Sequence, residues 1–264
     1  MLSQEQKSEL DINGFTIIKN ALDKNLLNNI INTVDVIYNQ NEKATQENFL
    51  HIFDFFNRDP IFLNLISNPR VLHPIIDLLG WNIYMYHAHL DVNPPLSIND
   101  SLPPLTWHRD NSRMNYEFGN GTYPRITLKA SFWLSDVSET GRGNLYVLPG
   151  SHLANYSDLR NKSESYLSKF AIPILANAGD IVIFDNRLWH TRSNNISDLT
   201  RKVIFIGYGF RWLRPRDNVL ISKSIYDQSN SIEKQLVNRD IAMSAYDPHE
   251  ADVPLKQLFD ELHC

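Results

Sequence analysis

The sequence is poor in cysteine, and its single one, Cys264, is the last residue. An intrachain disulfide is therefore impossible, and a chain without disulfides suits a reducing compartment. The opening residues, Met-Leu-Ser-Gln-Glu-Gln-Lys-Ser-Glu, lack the basic and then apolar pattern of a secretory signal. We therefore expect a cytoplasmic protein.

Long apolar runs and an excess of basic residues are also missing. No run approaches the roughly 20 apolar residues that a membrane-spanning helix needs. The 25 Lys and Arg residues are outnumbered by 30 Asp and Glu, and the net charge is -5. Because such a chain has no general basic surface for a phosphate backbone, we expect neither a membrane nor nucleic acid as a partner.

The composition that remains is typical of a globular enzyme. Hydrophobic residues make up 42% and aromatic residues 11% of the 264 residues, which is enough for one large core. We expect a single domain over residues 1–264, with a helical part at about 1–80, a strand-rich core at about 81–215 and a helical C-terminal tail. The predicted strands cover residues 15–18, 81–92, 125–134, 144–148, 172–174, 180–184 and 202–210.

Two potential metal ligands stand two residues apart in Thr106-Trp107-His108-Arg109-Asp110. On an extended segment this spacing places both side chains on one face, so an imidazole and a carboxylate can reach the same ion. A further imidazole, His190, follows the apolar segment 181–184. Two histidines and one carboxylate occupy one face of an octahedral iron(II) and leave three positions for a bidentate 2-oxo acid and dioxygen. The His-x-Asp pair alone is a weak signal, because it also occurs by chance in surface loops.

Arg201 stands eleven residues after His190, at the head of the apolar segment 202–207. A guanidinium can hold a carboxylate by a bidentate, charge-assisted pair, as the distal carboxylate of 2-oxoglutarate requires. Taken alone, a solvated arginine at a strand end is the simpler interpretation of this residue.

In combination these residues resemble the phytanoyl-CoA dioxygenase family of 2-oxoglutarate oxygenases. The resemblance covers roughly residues 10 to 215, including the opening Asn13-Gly14-Phe15-Thr16-Ile17-Ile18. The turn Pro149-Gly150-Ser151-His152 is its most specific part. The stretches that carry the resemblance are Trp107-His108-Arg109-Asp110, the segment 128–136 running into 143–152, and the segment from His190 to Arg201.

The resemblance implies a mainly β fold with flanking helices and a double-stranded β-helix core, the cupin-like jelly roll. It implies His108, Asp110 and His190 as iron(II) ligands and catalytic residues, and Arg201 as the partner of the C5 carboxylate of 2-oxoglutarate. Lys129 matches a family position that lines the co-substrate pocket. We therefore expect an oxidoreductase, a hydroxylase that uses iron(II), 2-oxoglutarate and dioxygen and releases succinate and carbon dioxide.

One position departs from the family pattern. Two residues after the distal histidine, where members often have a small side chain, this chain has Arg192, and we expect the neighbouring Ser193 to make that co-substrate contact. His87 and His89 share a strand face with Asp91. They point either into the barrel mouth, near co-substrate or substrate, or to a hydrogen-bonded sheet edge, and both interpretations stand.

The substrate contacts are expected near the first two ligands, where the loop 111–123 mixes polar and aromatic residues. This character favours a compact polar or zwitterionic secondary metabolite, for example deoxycylindrospermopsin, over a long acyl chain. An acyl-CoA or an amino-acid-like compound is the alternative substrate. The candidate substrate contacts are Trp107, Arg109, Arg113, Met114 and His87.

Three other functions are weighed against the hydroxylase. A halogenase would replace the carboxylate ligand by a small residue, which Asp110 opposes. A metal-free jelly-roll binding protein would lack one of the ligands or Arg201, and a zinc hydrolase would not need Arg201. The remaining histidines are expected to be structural, as for His152, or at the surface, as for His51, His73, His249 and His263.

Overall fold

The computed structural model describes residues 1–41, 49–96, 102–110, 114, 117–118, 124–217, 219–238 and 253–263. Arg113, His249, Cys264 and most of the loop 111–123, which the sequence analysis named, lie outside these residues.

Helices dominate the two ends of the chain. The first begins where the Ser3 side chain accepts the backbone N–H of Gln6 and the Gln6 side chain accepts that of Ser3, which is a capping box. The second begins at Asp23, whose carboxylate accepts two backbone N–H groups. The helices are α1 (Gln4–Asn13), α2 (Lys24–Gln40), α3 (Leu63–Ile66), α4 (Pro69–Leu79), α5 (Tyr156–Arg160), α6 (Glu164–Phe170), α7 (Lys223–Gln228), α8 (Ser231–Val237) and α9 (Pro254–His263).

The strands form two antiparallel sheets. The larger has the order β1-β7-β4-β9-β3-β2 and the smaller the order β6-β5-β8. Both β2 and β8 are three residues long, and neither was among the predicted strands. The strands are β1 (Phe15–Ile18), β2 (Leu50–Ile52), β3 (Ile83–Asn93), β4 (Thr127–Trp133), β5 (Leu145–Val147), β6 (Ile172–Pro173), β7 (Ile181–Asp185), β8 (His190–Arg192) and β9 (Arg201–Phe210).

Two hydrophobic clusters show how the sheets are layered. On β4, Leu128 and Phe132 pack with the helices on the outer face of the large sheet. Leu145 and Val147 of the small sheet pack against Val182, Phe184, Val203 and Phe205 of the large sheet in a second cluster. Because strand side chains alternate between faces, Lys129 lies on the face opposite Leu128, toward the small sheet. The arrangement confirms the predicted mainly β fold with flanking helices.

Among the described segments, no helix is both long enough and apolar enough to cross a lipid bilayer.

Candidate metal centre

The sheet pairing brings the two histidines of the predicted triad together. The backbone of His108 donates to and accepts from that of His190, at N···O distances of 3.0 and 2.9 Å. This single bridge extends the small sheet beyond β8, and the two imidazole centroids lie 4.3 Å apart. One ligand atom from each of His108, Asp110 and His190 lies within 4.8 Å of the others.

Backbone carbonyls orient both imidazoles. The Nδ1 atom of His108 lies 3.0 Å from the carbonyl oxygen of Thr106, and that of His190 lies 2.8 Å from the carbonyl oxygen of Leu188. A carbonyl accepts only from a protonated nitrogen, so in the neutral form of each imidazole Nε2 carries the lone pair that a metal needs. Burial, together with His108, lowers the pKa of His190 to about 3. His190 is therefore neutral and able to act as a ligand near neutral pH.

The third ligand, Asp110, is buried and faces two cations. Its Oδ2 lies 2.5 Å from the Lys129 ammonium and 3.9 Å from Nε2 of His190, while Oδ1 accepts a hydrogen bond of 2.8 Å from Arg216. Burial by itself raises the pKa of Asp110, but the positive charges of Lys129 and its neighbours outweigh it and hold that pKa well below its usual value. Asp110 is therefore a carboxylate, and two imidazoles with one carboxylate suit iron(II).

Arg201 lies at the start of β9 and is 2% exposed. It donates a hydrogen bond of 2.6 Å to Oδ1 of Asn93, its nearest approach to Asp91 is 3.7 Å, and its guanidinium carbon lies 5.2 Å from the Trp133 ring centroid. Burial lowers its pKa to about 10, which still leaves the guanidinium charged near neutral pH. The backbone of Gly143, with φ of +71°, approaches so closely that an added Cβ would lie 2.7 Å from Cδ of Arg201.

One cavity of about 730 Å³ connects the triad to Arg201. The predicted residues Lys129, His87 and His89 line it, and so does Arg192, an exposed residue whose guanidinium lies 5.0 Å from the Phe49 ring centroid. The other lining residues are His51, Phe53, Asp91, Leu145, Phe205, Arg216, Asp217 and Val219.

The two histidines of β3 face the cavity through a chain of contacts. His89 stacks on Phe205 with centroids 4.7 Å apart, and its Nδ1 lies 3.1 Å from Nε2 of His87. Nδ1 of His87 lies 3.2 Å from a carboxylate oxygen of Asp217. Burial lowers the pKa of both histidines. Of the two interpretations of His87 and His89, the structure favours the one that places them at the barrel mouth.

Several other predicted residues lie elsewhere. The guanidinium of Arg109 donates to the carbonyl oxygens of Ser151 and Ala154, which turns it away from the cavity. Trp107 packs in a separate cluster with Leu148, Leu167 and Trp189. Ser193 lines a different surface groove, Met114 is half-buried, and Arg113 lies outside the described residues.

Among the cavity residues that sequence reasoning missed, three carry ionisable side chains: His51, Arg216 and Asp217. His51, which was expected at the surface without a partner, lies with its Nδ1 2.6 Å from Oδ1 of Asp91 and, with His89, forms a second cluster of possible metal ligands. That carboxylate already has His51 and the Arg201 guanidinium as neighbours. Arg216 and Asp217 follow β9 in an irregular segment, and no local pattern marks them. The spacing of two residues between His89 and Asp91 was the one sequence feature that indicated this side of the cavity.

Comparison with known proteins gives a family match over most of the chain. The family model described as phytanoyl-CoA dioxygenase (PhyH) matches residues 10–203. An ectoine dioxygenase from Bordetella bronchiseptica is 23% identical over 238 residues, which cover 78% of this chain and 75% of that protein. One from Streptomyces avermitilis is 25% identical and covers 59% of this chain and 58% of that protein.

Solved structures share the fold at low sequence identity. HygX from Streptomyces hygroscopicus, with nickel and 2-oxoglutarate bound, superposes with a TM-score of 0.64 at 15% identity, over 85% of this chain and 94% of that one. The epimerase SnoN of nogalamycin biosynthesis, described as dependent on α-ketoglutarate, gives 0.62 at 16% identity, over 79% and 80% of the two chains. These likenesses confirm the predicted jelly-roll core.

Proposed function

The chain belongs to the phytanoyl-CoA dioxygenase (PhyH) family, and from that premise we propose how its cavity holds the metal, the co-substrate and the substrate. It is a dioxygenase that depends on iron(II) and 2-oxoglutarate. The observation that carries the assignment of residues is the single cavity that contains both the His108–Asp110–His190 cluster and the buried Arg201.

The iron ligands in this proposal are Nε2 of His108, Oδ2 of Asp110 and Nε2 of His190. The Nδ1 hydrogen bonds hold both imidazole rings in the orientation that a metal needs. The Lys129 ammonium lies 2.5 Å from the same Oδ2 of Asp110 and lines the same cavity.

Arg201 receives the distal carboxylate of 2-oxoglutarate, and Lys129 adds a second positive charge inside the same cavity. The Phe205 ring centroid lies 5.6 Å from the Lys129 ammonium and 4.7 Å from the His89 ring centroid, and this ring gives the wall an apolar surface. When bound, iron(II) with 2-oxoglutarate and dioxygen supplies the oxidant that attacks an unactivated C–H bond. The protein provides orientation and a cavity that limits access of water.

The substrate we propose is a compact polar molecule that is hydroxylated at an aliphatic carbon. A cavity of about 730 Å³ lies within the range of about 300–1,000 Å³ that is usual for small ligands. Its mouth carries charged and polar groups, among them Arg192, Asp217 and His51, which suit a polar or zwitterionic compound. A long acyl chain would place apolar carbon against these charged and polar groups. Deoxycylindrospermopsin is one compound of this chemistry.

The experiment is an incubation of the iron-loaded enzyme with 2-oxoglutarate, oxygen and a metabolite panel, with succinate as the readout. The panel contains zwitterionic amino-acid derivatives, guanidinium-bearing and sulfated alkaloids including deoxycylindrospermopsin, and an acyl-CoA. We expect a polar compound to stimulate succinate formation and to gain one oxygen atom by mass spectrometry. Stimulation by the acyl-CoA alone would overturn the proposed substrate class.

Ligand variants test the metal assignment independently of the substrate. His108→Ala, Asp110→Ala and His190→Ala should each lose iron(II) binding, measured by metal analysis after gel filtration, because an incomplete facial set holds the metal poorly. His73→Gln is the matched control, since His73 belongs to α4 and does not line the cavity. Normal iron content in a ligand variant would show that the residue is not a ligand.

A further inference from the structure

The segment 211–217 after β9, here called the return arm, runs beside β3 and closes one side of the cavity. The Tyr84 hydroxyl donates to the carbonyl oxygen of Leu213 at 2.6 Å, and the Arg216 N–H donates to the carbonyl oxygen of Tyr86 at 2.8 Å. The arm lies beyond residues 10–203, which the family model matches. Hydrogen bonds to Tyr84 and Tyr86 of β3 hold it in position.

A β-bulge in β3 supplies the backbone carbonyl that accepts a hydrogen bond from the return arm. The pairing of β3 with β9 shifts its register between Met85 and His87, which leaves Tyr86 as an extra residue in a β-bulge. The Tyr86 ring lies against Gly207, where an added Cβ would be 2.7 Å from Cε1 of Tyr86. Bulges redirect backbone groups out of the ladder, and here the Tyr86 carbonyl faces Arg216.

Asp217 anchors the arm on the other side of Arg216. Its Oδ2 accepts from the backbone N–H of Ala88 at 3.3 Å and lies 3.2 Å from Nδ1 of His87. Its Oδ1 accepts from the N–H of Val219 at 3.1 Å. The backbone at Arg216 is therefore fixed by its hydrogen bond to Tyr86 and by the contacts of the Asp217 side chain. These contacts fix the position from which the Arg216 side chain extends.

The two oxygens of Asp110 have different neighbours. Oδ2 faces His190 and Lys129, on the side where the ligand atoms converge, whereas Oδ1 accepts the hydrogen bond of 2.8 Å from Arg216. A metal bound by Oδ2 would leave the contact between Oδ1 and Arg216 in place. Binding through both oxygens would bring the metal onto the oxygen that already accepts from Arg216, so it would compete with that hydrogen bond.

We propose that Arg216 is a positioning residue that holds the outer oxygen of Asp110 and keeps this carboxylate a one-oxygen ligand of iron(II). The inference rests on the proposed function, since it takes Asp110 as a ligand. It matters because a carboxylate bound through both oxygens would occupy one of the three positions that 2-oxoglutarate and dioxygen require.

A direct role of Arg216 in binding an anionic group of the substrate is the competing interpretation. The contacts favour positioning, because its guanidinium is engaged with a buried carboxylate on a pinned backbone. Arg192 and Arg216 are both exposed arginines that line this cavity, but the Arg192 guanidinium lies 5.0 Å from the Phe49 ring centroid, whereas that of Arg216 is hydrogen-bonded to Asp110.

The test compares Arg216→Gln, Arg216→Lys and the control Arg214→Gln, which changes an exposed arginine on the same arm. Iron(II) affinity is measured without co-substrate, and the visible charge-transfer absorption of the anaerobic iron–2-oxoglutarate complex is recorded. Removing such an outer partner typically weakens metal binding by about 10–100-fold. We expect that loss, with an altered absorption band, for Arg216→Gln, partial recovery for Arg216→Lys and no change for Arg214→Gln.

Unchanged iron affinity and absorption in Arg216→Gln would overturn the proposal, including the case in which only the substrate KM rises. If Arg216→Gln does not fold, the test uses Arg216→Lys alone. Wild-type iron(II) affinity together with an altered absorption band in Arg216→Lys would still support the positioning role. Loss of affinity with no recovery in a folded Arg216→Lys would contradict it. Failure of the wild-type protein to form the absorbing complex would instead contradict the proposed function.

Discussion

Arg201 offers the sharpest test of how the co-substrate is held. Arg201→Met keeps an apolar stem of similar length but removes the charge, and Arg201→Lys keeps the charge but loses the planar fork. Because Arg201 is 2% exposed, its pair with a carboxylate is shielded from water, and a hydrogen bond to a charged group contributes about 1.5–3 kcal/mol. At about 1.4 kcal/mol per factor of ten, this corresponds to a rise of about 10–150-fold in the KM for 2-oxoglutarate.

The surroundings of Arg201 require a control for Asp91. In Arg201→Met, the carboxylate of Asp91 loses the guanidinium that lies 3.7 Å away, which destabilises the fold separately from co-substrate binding. The double variant Arg201→Met with Asp91→Asn removes the negative charge that has lost this partner, and it should recover thermal stability without recovering the KM. Arg192→Gln is the matched control, because Arg192 lines the same cavity but is exposed.

The assay is succinate formation against 2-oxoglutarate concentration at saturating iron and substrate, together with anaerobic titration of the iron-loaded protein. We expect the order Arg201→Met, Arg201→Lys, Arg192→Gln from the largest KM to the smallest. A larger KM for Arg192→Gln than for Arg201→Met would assign the distal carboxylate to Arg192 and refute the argument.

Three further predictions follow from single contacts. Gly143→Ala should raise the KM for 2-oxoglutarate without changing iron affinity, because the added Cβ would lie 2.7 Å from Cδ of Arg201. Gly80→Ala is the control for backbone strain, since Gly80 has a similar φ of +79° and its added Cβ would meet nothing within 4 Å. Equal KM values for the two variants would contradict the prediction. The folded-state pKa of His190, about 3, lies below its unfolded value, so the unfolded chain binds the extra proton as pH falls. Metal-free protein should therefore lose about 2 kcal/mol between pH 7.5 and 5 through this group, and His190→Gln should show a correspondingly shallower dependence in denaturant titrations. With Asp110 in its coordination position, excess chloride should leave the hydroxylated product unchanged, and a chlorinated product by mass spectrometry would exclude Asp110 as a ligand in the reacting complex.

The sequence predicted those parts of the fold and site that depend on local pattern. Short strand-like segments separated by Gly, Pro and Asn located β4 and β9, and the spacing of His108 and Asp110 on an extended segment gave two members of the cluster that the structure brings together with His190. These features are local because a strand places residues two apart on one face whatever surrounds it.

The parts that could not be predicted depend on contacts between distant segments. Arg216 approaches Asp110 only because a bulge at Tyr86 gives the return arm its acceptor, and no periodicity marks a bulge. His51 lies on β2, whose three residues are too few for a recognisable alternation, yet pairing with β3 places it beside Asp91. Arg109 shows the reverse error, since proximity in sequence to two ligands suggested a substrate contact that its hydrogen bonds to the backbone do not support.

The order of strands in the large sheet has a consequence for how the chain folds during synthesis. β1 pairs with β7, β4 lies between β7 and β9, and β3 pairs with β9, so the strands made early depend on partners made late. Of the first four strands, only β2 and β3 pair with each other. The residues between Trp133 and Phe210 take on the order of ten seconds to be synthesised, and during that time β1 and β4 have unpaired edges. Such edges promote aggregation, so slow expression at low temperature or a bound chaperone should raise the yield of folded protein.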